Sequence, residues 1–257
     1  MTYPKQIIGI LGGLGPYAHI DFESKLLDAA RRLAGANADQ DYPEWVLSSI
    51  PGTPERTADD LSGDADPLPW LLRSLHRLDT PGTGADFVAI PCNTAHRYIG
   101  DIRRESRVPV IDMIDETAAA IAGLGNVTKA GILATTGTLR TGLYHRALEA
   151  RGISACSLLD SDGGDALQTS LFMGAIFGTP SRRGGIKGEG PHPEYARMLE
   201  EAAARLVQGC GAQIIVSGCT EVPLVLTGDR VSGVALIDPT RILAEACIRR
   251  AYGLGPA

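Results

Sequence analysis

The sequence has few aromatic residues, no long apolar run and no excess of positive charge. Aromatic residues make up 5% of its 257 residues. No apolar run reaches the roughly 18 residues that a membrane-spanning helix needs. Lysine and arginine (24) are outnumbered by aspartate and glutamate (30), and the net charge of -6 gives no electrostatic basis for binding nucleic acid or an anionic membrane. The first residues lack the basic segment and the cleavage site of a signal peptide, which predicts a cytoplasmic protein.

Cysteine is scarce as well. The five cysteines are odd in number and widely spaced, which is untypical of a disulfide framework. No pair has the spacing of a zinc site, so we expect reduced thiols and no metal. The rest of the composition, 44% hydrophobic and 21% charged, is that of a globular chain with a substantial core.

Short apolar runs alternate with amphipathic stretches along the whole chain. The runs are almost entirely apolar, which is typical of parallel strands covered on both faces. The stretches between them have apolar residues at three- and four-residue spacing, as amphipathic helices do. This alternation predicts an α/β fold with a parallel sheet. The predicted strands are Gln6–Leu11, Trp45–Ile50, Asp86–Ile90, Val108–Ile111, Ala130–Ala134, Ile153–Leu158, Gln213–Ser217 and Gly233–Ile237.

The second half of the chain repeats the pattern of the first. Three segments recur in the same order at a nearly constant offset: 8–13 with 130–135, 87–94 with 214–221, and 110–112 with 236–238. The repeat predicts two similar domains, residues 1–115 with 224–257 and residues 116–223. The terminal strand is assigned to the first domain. The stretch 178–191, rich in glycine, proline and arginine, is predicted to be a long loop or lid.

Two cysteines take equivalent places in the halves. Cys92 and Cys219 each follow a predicted buried strand, and the carboxyl ends of parallel strands face the ligand site. Backbone amides and a helix dipole at these positions would lower the pKa of each thiol and favour the thiolate. The remaining cysteines, Cys156, Cys210 and Cys247, are interpreted as packing residues.

Two opposed thiols suit proton transfer at a carbon acid. If the halves pack face to face about a pseudo-twofold axis, one thiolate removes an α-proton and the other thiol delivers a proton to the opposite face. Such a site also needs donors aimed at the substrate carboxylate. Candidate donors are Gly12-Gly13-Leu14-Gly15, Asn93-Thr94, Thr135-Thr136-Gly137-Thr138 and Thr220. The residues His96, Asp112 and Glu221 are interpreted either as groups that tune a thiol or as helix caps and backbone partners.

These motifs resemble those of the cofactor-independent aspartate/glutamate racemase family, and most closely its aspartate racemase branch. The matching segments span nearly the whole chain in order: Gly9–Pro16, Pro91–His96, Pro109–Thr117, Thr135–Thr138 and Gly218–Glu221. The resemblance implies two flavodoxin-like, three-layer α/β domains related by a pseudo-twofold axis, with the active site in the cleft between them. It implies acid/base roles for Cys92 and Cys219, and a homodimer that needs no cofactor.

The family also uses an arginine after the second strand and a lysine late in the second half to hold substrate carboxylates. Arg56 matches the arginine, and Lys187 resembles the lysine, although it follows a stretch that reads as an insertion, 178–184. Two such cations favour a small amino acid with an acidic side chain, aspartate ahead of glutamate. Leu14 stands where the family usually has methionine, which leaves other amino acids open.

The same residues allow other interpretations. A decarboxylase or a cis–trans isomerase of a small diacid would use the same scaffold. Two α/β lobes around a cleft also describe a non-catalytic small-molecule binding protein. The segment Gly13–Ala18 fits a dinucleotide-binding pattern, but the second strand ends without the acid that would bind a ribose. Asp162–Asp165 has too few oxygen ligands for a calcium loop.

Overall fold

The computed structural model of the protein describes residues 4–57, 65–82 and 84–255. The chain divides into two compact units, Met1–Glu116 with Thr240–Ala257, and Thr117–Pro239. The strands of the described residues are β1 (Ile8–Gly12), β2 (Trp45–Ser49), β3 (Phe87–Ala89), β4 (Lys129–Ala134), β5 (Ser154–Cys156), β6 (Ile214–Gly218), β7 (Arg230–Val231) and β8 (Val234–Ile237).

Helices connect the strands in both units. They are α1 (Pro16–Ala29), α2 (Leu68–Leu78), α3 (Ile99–Glu105), α4 (Met113–Gly123), α5 (Thr136–Arg140), α6 (Leu143–Glu149), α7 (Gly164–Leu167), α8 (Gly174–Phe177), α9 (Gly185–Glu189), α10 (Pro193–Cys210) and α11 (Pro239–Tyr252). A π-helical segment, Gln168–Met173, joins α7 to α8, and α10 is the only one of the described helices with 18 residues. No helix in the described part of the chain is long and apolar enough to cross a membrane.

The first unit is built on a parallel sheet with strand order β2-β1-β3. Successive residues of a strand point to opposite faces, and here both faces are apolar. Ile8 and Ile10 of β1 pack with residues of α1 and α11, whereas Leu11 packs with Leu71 and Leu75 of α2. The sheet is therefore covered by helices on both sides, as the apolar runs predicted.

The second unit repeats this arrangement and extends it. Its sheet has the order β5-β4-β6-β8-β7, parallel except for the final pair. The order β5-β4-β6 matches β2-β1-β3 of the first unit. Leu133 and Ile215 of the central strands pack with Leu199 and Leu206 of α10 in one apolar cluster. The predicted α/β fold with parallel sheets is confirmed.

The structure differs from the predicted domain boundary. Residues 224–239, including β8, lie in the second unit and not in the first. The reason is that β8 has a hydrogen-bonding partner, since its residues pair in parallel with Ile214–Val216 of β6. In the first unit the equivalent segment is reduced to a bridge between Val88 and Val110 instead of the predicted strand. After β8 the chain returns to the first unit, where Leu243 and Cys247 of α11 join the apolar cluster around β1.

Candidate active site

In each unit the candidate cysteine and the loop with most of the candidate donors follow two paired strands. Because β1 and β3 pair, the loop that begins at Gly13 starts beside the loop that carries Cys92. Because the last residues of β4 and β6 pair, the loop that begins at Thr135 starts beside Cys219. The structure thus separates these residues into two sets. The first comprises Gly13, Leu14, Arg56, Cys92, Asn93 and Thr94; the second comprises Thr135, Thr136, Gly137, Thr138, Lys187, Cys219, Thr220 and Glu221.

The loop after β1 depends on a glycine and a histidine. Gly13 has φ +82°, and a Cβ there would lie 2.4 Å from the backbone nitrogen of Ile50, so a side chain does not fit. The Gly13 amide donates to Nδ1 of His19 at 3.2 Å. Burial lowers the pKa of His19, which favours the neutral ring that this bond requires. Sequence analysis did not identify His19; its place on the buried face of α1 is the signal that could have found it.

Arg56, in the first set of residues, contacts the backbone of two loops. Its side chain is buried, and the residue is 6% exposed. One guanidinium nitrogen donates to the Leu14 carbonyl at 2.7 Å and the other to the Pro54 carbonyl at 3.0 Å. Arg56 therefore ties the loop after β2 to the loop after β1, which is a structural role that the carboxylate-binding prediction did not include.

Cys92 is positioned by backbone contacts and by His96. The Cys92 amide donates to the Ile90 carbonyl at 2.8 Å. The Met113 amide donates to Nε2 of His96 at 3.1 Å, so Nδ1 carries the ring proton and donates it to the Cys92 carbonyl at 2.9 Å. Burial lowers the pKa of His96, in keeping with a neutral ring. His96 therefore fixes the turn that presents Cys92, and its ring nitrogens bond to backbone groups.

Asp112 also serves the backbone. Its Oδ1 accepts from the amides of Ile114 and Asp115 at 2.9 and 3.1 Å, which caps the start of α4. Of the three residues interpreted as tuning groups, Glu221 is the one that contacts a thiol.

Cys219, Glu221 and Lys187 form a chain of polar contacts in the second set. The Cys219 thiol donates to Oε2 of Glu221 at 2.9 Å, and the Thr220 hydroxyl donates to the same oxygen at 3.2 Å. Lys187 Nζ lies 3.8 Å from Oε1 of Glu221. Cys219, Thr220 and Glu221 are buried, so solvent screens the Glu221 carboxylate from the Cys219 thiol only weakly. Lys187 is partly exposed, so its ion pair with Glu221 is screened more strongly.

The expectation of a lowered pKa is wrong for Cys219. Burial, and then the negative charge of Glu221, raise the pKa of this thiol well above its usual value, while Lys187 opposes them. A helix dipole contributes little, because the thiol is followed by a single 3₁₀ turn, Val222–Leu224. Cys219 is thus held as a thiol.

Lys187 is presented by the segment predicted to be an irregular loop. Gly178 and Arg183 form an antiparallel bridge, and α9 with Lys187 follows directly. The Lys187 ammonium lies 4.8 Å from the centre of the Phe177 ring, a cation–π contact. The stretch is therefore an ordered support for the lysine, built in part from helix.

The threonine loop after β4 is held by a residue that sequence analysis missed. Thr135 caps α5: its hydroxyl accepts from the Thr138 amide at 3.4 Å. Gln168, buried in the π-helical segment, donates to the Ala134 carbonyl at 2.9 Å and contacts Thr136 Oγ1 at 3.5 Å. A π-helical turn is not visible in hydrophobic spacing, so no pattern in the sequence marked Gln168.

A comparison with known families identifies the class of the protein. The profile of the family described as Asp/Glu/hydantoin racemase matches residues 11–247. The chain belongs to this family. The predicted resemblance to aspartate/glutamate racemases is confirmed, and the protein is an isomerase of the racemase type.

Relatives in this family carry racemase names. The chain is 28% identical over 243 residues to the broad specificity amino-acid racemase RacX of Bacillus subtilis (strain 168), covering 94% of this chain and 96% of the relative. It is 27% identical over 195 residues to a glutamate racemase of Koribacter versatilis (strain Ellin345), covering 73% of this chain and 59% of that enzyme.

Solved structures share the fold. An aspartate racemase homologue from Pyrococcus horikoshii OT3 has a TM-score of 0.69 at 24% identity, over 98% of this chain and 99% of that chain. An aspartate racemase from Picrophilus torridus has a TM-score of 0.70 at 22% identity, over 98% of this chain and 96% of that chain. At this identity the likeness concerns the fold.

Proposed function

We propose that the protein interconverts the L- and D-enantiomers of a small amino acid, aspartate ahead of glutamate, through Cys92 and Cys219. One observation carries the proposal: the thiols follow equivalent strands, β3 and β6, of two sheets that repeat the same strand order. The carboxyl ends of parallel strands are where α/β sheets bind ligands. The racemase family of the chain supports the same reaction.

The chemistry is a pair of proton transfers at one carbon. The thiolate of one cysteine removes the α-proton, and the electron pair of the broken C–H bond passes towards the substrate carboxylate. The other cysteine gives its proton to the opposite face of the α-carbon and becomes the thiolate. Both transfers use protein thiols, so the proposal requires no cofactor.

The contact with Glu221 gives Cys219 the role of acid in the resting protein. The carboxylate accepts the S–H of Cys219 at 2.9 Å and so favours the protonated form. Cys92 is then the base of the first half of the reaction. After one turnover the two roles are exchanged.

Stabilisation of the substrate falls to the loops after β1 and β4. The negative charge that builds on the carboxylate needs donors, and backbone amides with threonine hydroxyls supply them. The donors that we assign are those of Leu14, Asn93, Thr94, Thr135, Thr136 and Gly137. The amides of Gly13 and Thr138 and the hydroxyl of Thr220 instead donate to His19, Thr135 and Glu221, and hold the loops in place. The cations Arg56 and Lys187 would attract the two carboxylates of aspartate.

A second candidate is a broad-specificity amino-acid racemase. The observation that favours it is that both cations already have protein partners. Arg56 donates to two backbone carbonyls, and Lys187 faces the carboxylate of Glu221. Cations engaged in this way select less strongly for an acidic side chain, and the relative from Bacillus subtilis carries a broad-specificity name. The homodimer and the cytoplasmic location stay predictions of the sequence.

Single enantiomers incubated in deuterium oxide test the reaction and the substrate together. A panel of L- and D-aspartate, glutamate, alanine and lysine is analysed by chiral chromatography and mass spectrometry. We expect the opposite enantiomer to form with one deuterium at the α-carbon, fastest for aspartate. Comparable turnover across the panel supports the broad-specificity candidate instead.

Other outcomes reject the proposal. Loss of carbon dioxide from a malonate, or conversion of a cis to a trans diacid, without racemisation would identify a decarboxylase or a cis–trans isomerase. Binding of the amino acid without any exchange of the α-hydrogen would identify a binding protein.

A further inference from the structure

Gln168 is a buried polar residue in a π-helical segment of the second unit. The segment, Gln168–Met173, has two buried residues. One of them, Phe172, packs into the apolar cluster of the unit, whereas Gln168 is 2% exposed and carries an amide. A buried amide lowers stability unless it forms hydrogen bonds, and π-helical turns occur frequently at functional sites. The role of Gln168 therefore depends on which groups its amide contacts.

The contacts of Gln168 fix the direction of its amide. The Ala134 carbonyl, which can only accept, lies 2.9 Å from Nε2, so the NH₂ group and not the oxygen faces the loop after β4. The same nitrogen lies 3.5 Å from Thr136 Oγ1, a longer and weaker contact. Since an amide nitrogen donates and does not accept, the Thr136 hydroxyl is the acceptor in this contact. The hydrogen of that hydroxyl is then directed to a different partner.

Thr136 is also the most accessible threonine of this loop. Thr135 and Thr138 are buried, and their hydroxyls contact one another at 3.1 Å. Thr136 is partly exposed, and it is the threonine whose side chain Gln168 contacts. A hydroxyl that accepts from a buried amide and keeps its hydrogen for another partner suits an anion, because it presents an oriented dipole where negative charge develops.

We propose that Gln168 is a positioning residue of the racemase reaction, which holds the Thr136 hydroxyl with its hydrogen available to the substrate carboxylate. The bond to the Ala134 carbonyl fixes the Gln168 amide, and the contact with Thr136 orients the hydroxyl. Gln168 acts through Thr136 and not by contact with the substrate. This inference rests on the proposed function, because the donor role of Thr136 belongs to it.

A double-mutant cycle tests the proposal, with the amino acid that the parent protein racemises fastest as substrate. Thr136→Val should lower kcat about 100-fold, because a donor to developing charge acts mainly in the transition state. Gln168→Met keeps the length of the side chain and removes its donors. It should lower kcat about tenfold and change KM by less than about twofold. In the Thr136→Val background, Gln168→Met should cause no further loss, since the two residues act in series.

Three further variants separate positioning from structural support. Thr136→Ser keeps the hydroxyl, so Gln168→Met should again lower kcat about tenfold in this background. Gln168→Glu presents a carboxylate without donors and should resemble Gln168→Met. Gln208→Met, the same substitution at an exposed position of α10, is the matched control and should leave kcat unchanged. Circular dichroism checks the fold of each variant.

Equal losses from Gln168→Met in the parent and Thr136→Val backgrounds would assign Gln168 a structural role and overturn the proposal. So would a loss confined to KM, an unchanged kcat, or unfolding of both Gln168 variants. These outcomes leave the proposed function in place, because the parent protein is still a racemase. A parent protein that racemises no amino acid would instead reject the proposed function, and the role of Gln168 with it.

Discussion

The surroundings of Cys92 and Cys219 differ although the two residues follow equivalent strands. Near Cys92, His96 is neutral and binds the cysteine carbonyl and a neighbouring amide. At Cys219 a carboxylate accepts the thiol proton and an ammonium lies behind that carboxylate. The two halves thus place a cysteine at equivalent backbone positions but surround it with different charged groups.

The difference suits a reaction that needs one acid and one base at a time. Two thiols in identical surroundings would share a preference for the same protonation state. Glu221 removes that equivalence, because a negative charge in contact with a sulfur opposes the thiolate. In the sequence repeat the position of Glu221 corresponds to Thr94 in the first half, which carries no charge.

The strongest test of the comparison replaces each thiol. Cys92→Ala and Cys219→Ala should each lower the racemisation rate by at least about 10³-fold, because a positioned acid or base contributes on this scale. Cys219→Ala should still exchange the α-hydrogen of one enantiomer with deuterium through Cys92. Cys92→Ala should exchange that of the opposite enantiomer more slowly, because burial and Glu221 hold the remaining thiol of Cys219 protonated. Chiral chromatography and mass spectrometry measure both effects.

Cys210→Ala is the matched control for these variants. Its thiol is partly exposed and lies outside the candidate site, so under reducing conditions the rate should match that of the parent protein. A folded Cys92→Ala or Cys219→Ala protein that racemises at close to the parent rate would contradict the two-thiol mechanism.

The next largest effect concerns His96 and the stability of the first unit. His96→Ala leaves a buried carbonyl at Cys92 and a buried amide at Met113 without the imidazole, which should lower the free energy of unfolding by about 3 kcal/mol. Urea unfolding followed by circular dichroism measures the loss. His76→Ala, on the exposed side of α2, is the control and should change stability by less than about 0.5 kcal/mol.

The same histidine predicts a dependence on pH. Burial holds the pKa of His96 in the folded protein below the unfolded value of about 6.5. Below that pH the imidazole is therefore protonated in the unfolded chain while it stays neutral in the folded protein. Stability should therefore fall as the pH decreases below about 6.5. His19 is shifted in the same direction, so His96→Ala should reduce the slope and not remove it. An unchanged slope in this variant would show that His96 is not a source of the effect.

Much of the fold could be predicted because it rests on apolar patterning. Both faces of β1 and β3 are buried, and such apolar runs are typical of parallel strands covered by helices. The domain boundary failed for a different reason. The repeat related 236–238 to 110–112, but the terminal strand was assigned to the first domain together with the helix that follows it, and its pairing with β6 was not predicted.

The candidate site could be predicted by position and less well by chemistry. Motifs located the thiols and the loops after β1 and β4, because strand ends are set by the sheet. The contact of Glu221 with Cys219 joins residues only two apart, and the sequence named Glu221 as a residue that could tune a thiol, but it did not decide between this role and a helix cap. The contact of Gln168 with the loop after β4 joins residues far apart in the sequence and depends on a π-helical turn. The pKa of Cys219 depends on burial, which a motif does not report.

A smaller effect should follow from removing the charge that distinguishes the two thiols. Glu221→Gln should lower the pKa of Cys219, because the negative charge that opposes the thiolate is lost while burial remains. At a fixed pH below that pKa, each unit of decrease gives about ten times more thiolate, so alkylation of Cys219 by iodoacetamide should accelerate about tenfold. Peptide mass spectrometry follows the rate at each cysteine, and Cys92 serves as the internal control. Equal rates in the variant and the parent would show that Glu221 does not set the protonation of Cys219.

The smallest effect should come from Lys187, the cation of this same group. Lys187→Met removes a positive charge that favours the thiolate form of Cys219. This charge, on Lys187 Nζ, lies 3.8 Å from Oε1 of Glu221. An ion pair that is partly open to solvent contributes about 0.5 kcal/mol, so alkylation of Cys219 should slow by roughly twofold. Lys25→Met, which removes an ion pair with Asp21 on α1, is the matched control and should leave that rate unchanged.

Lys187→Met also separates the two substrate candidates. If Lys187 mainly holds the second carboxylate of aspartate, KM for aspartate should rise about tenfold while KM for alanine stays constant. If it mainly balances Glu221, both amino acids should be affected equally.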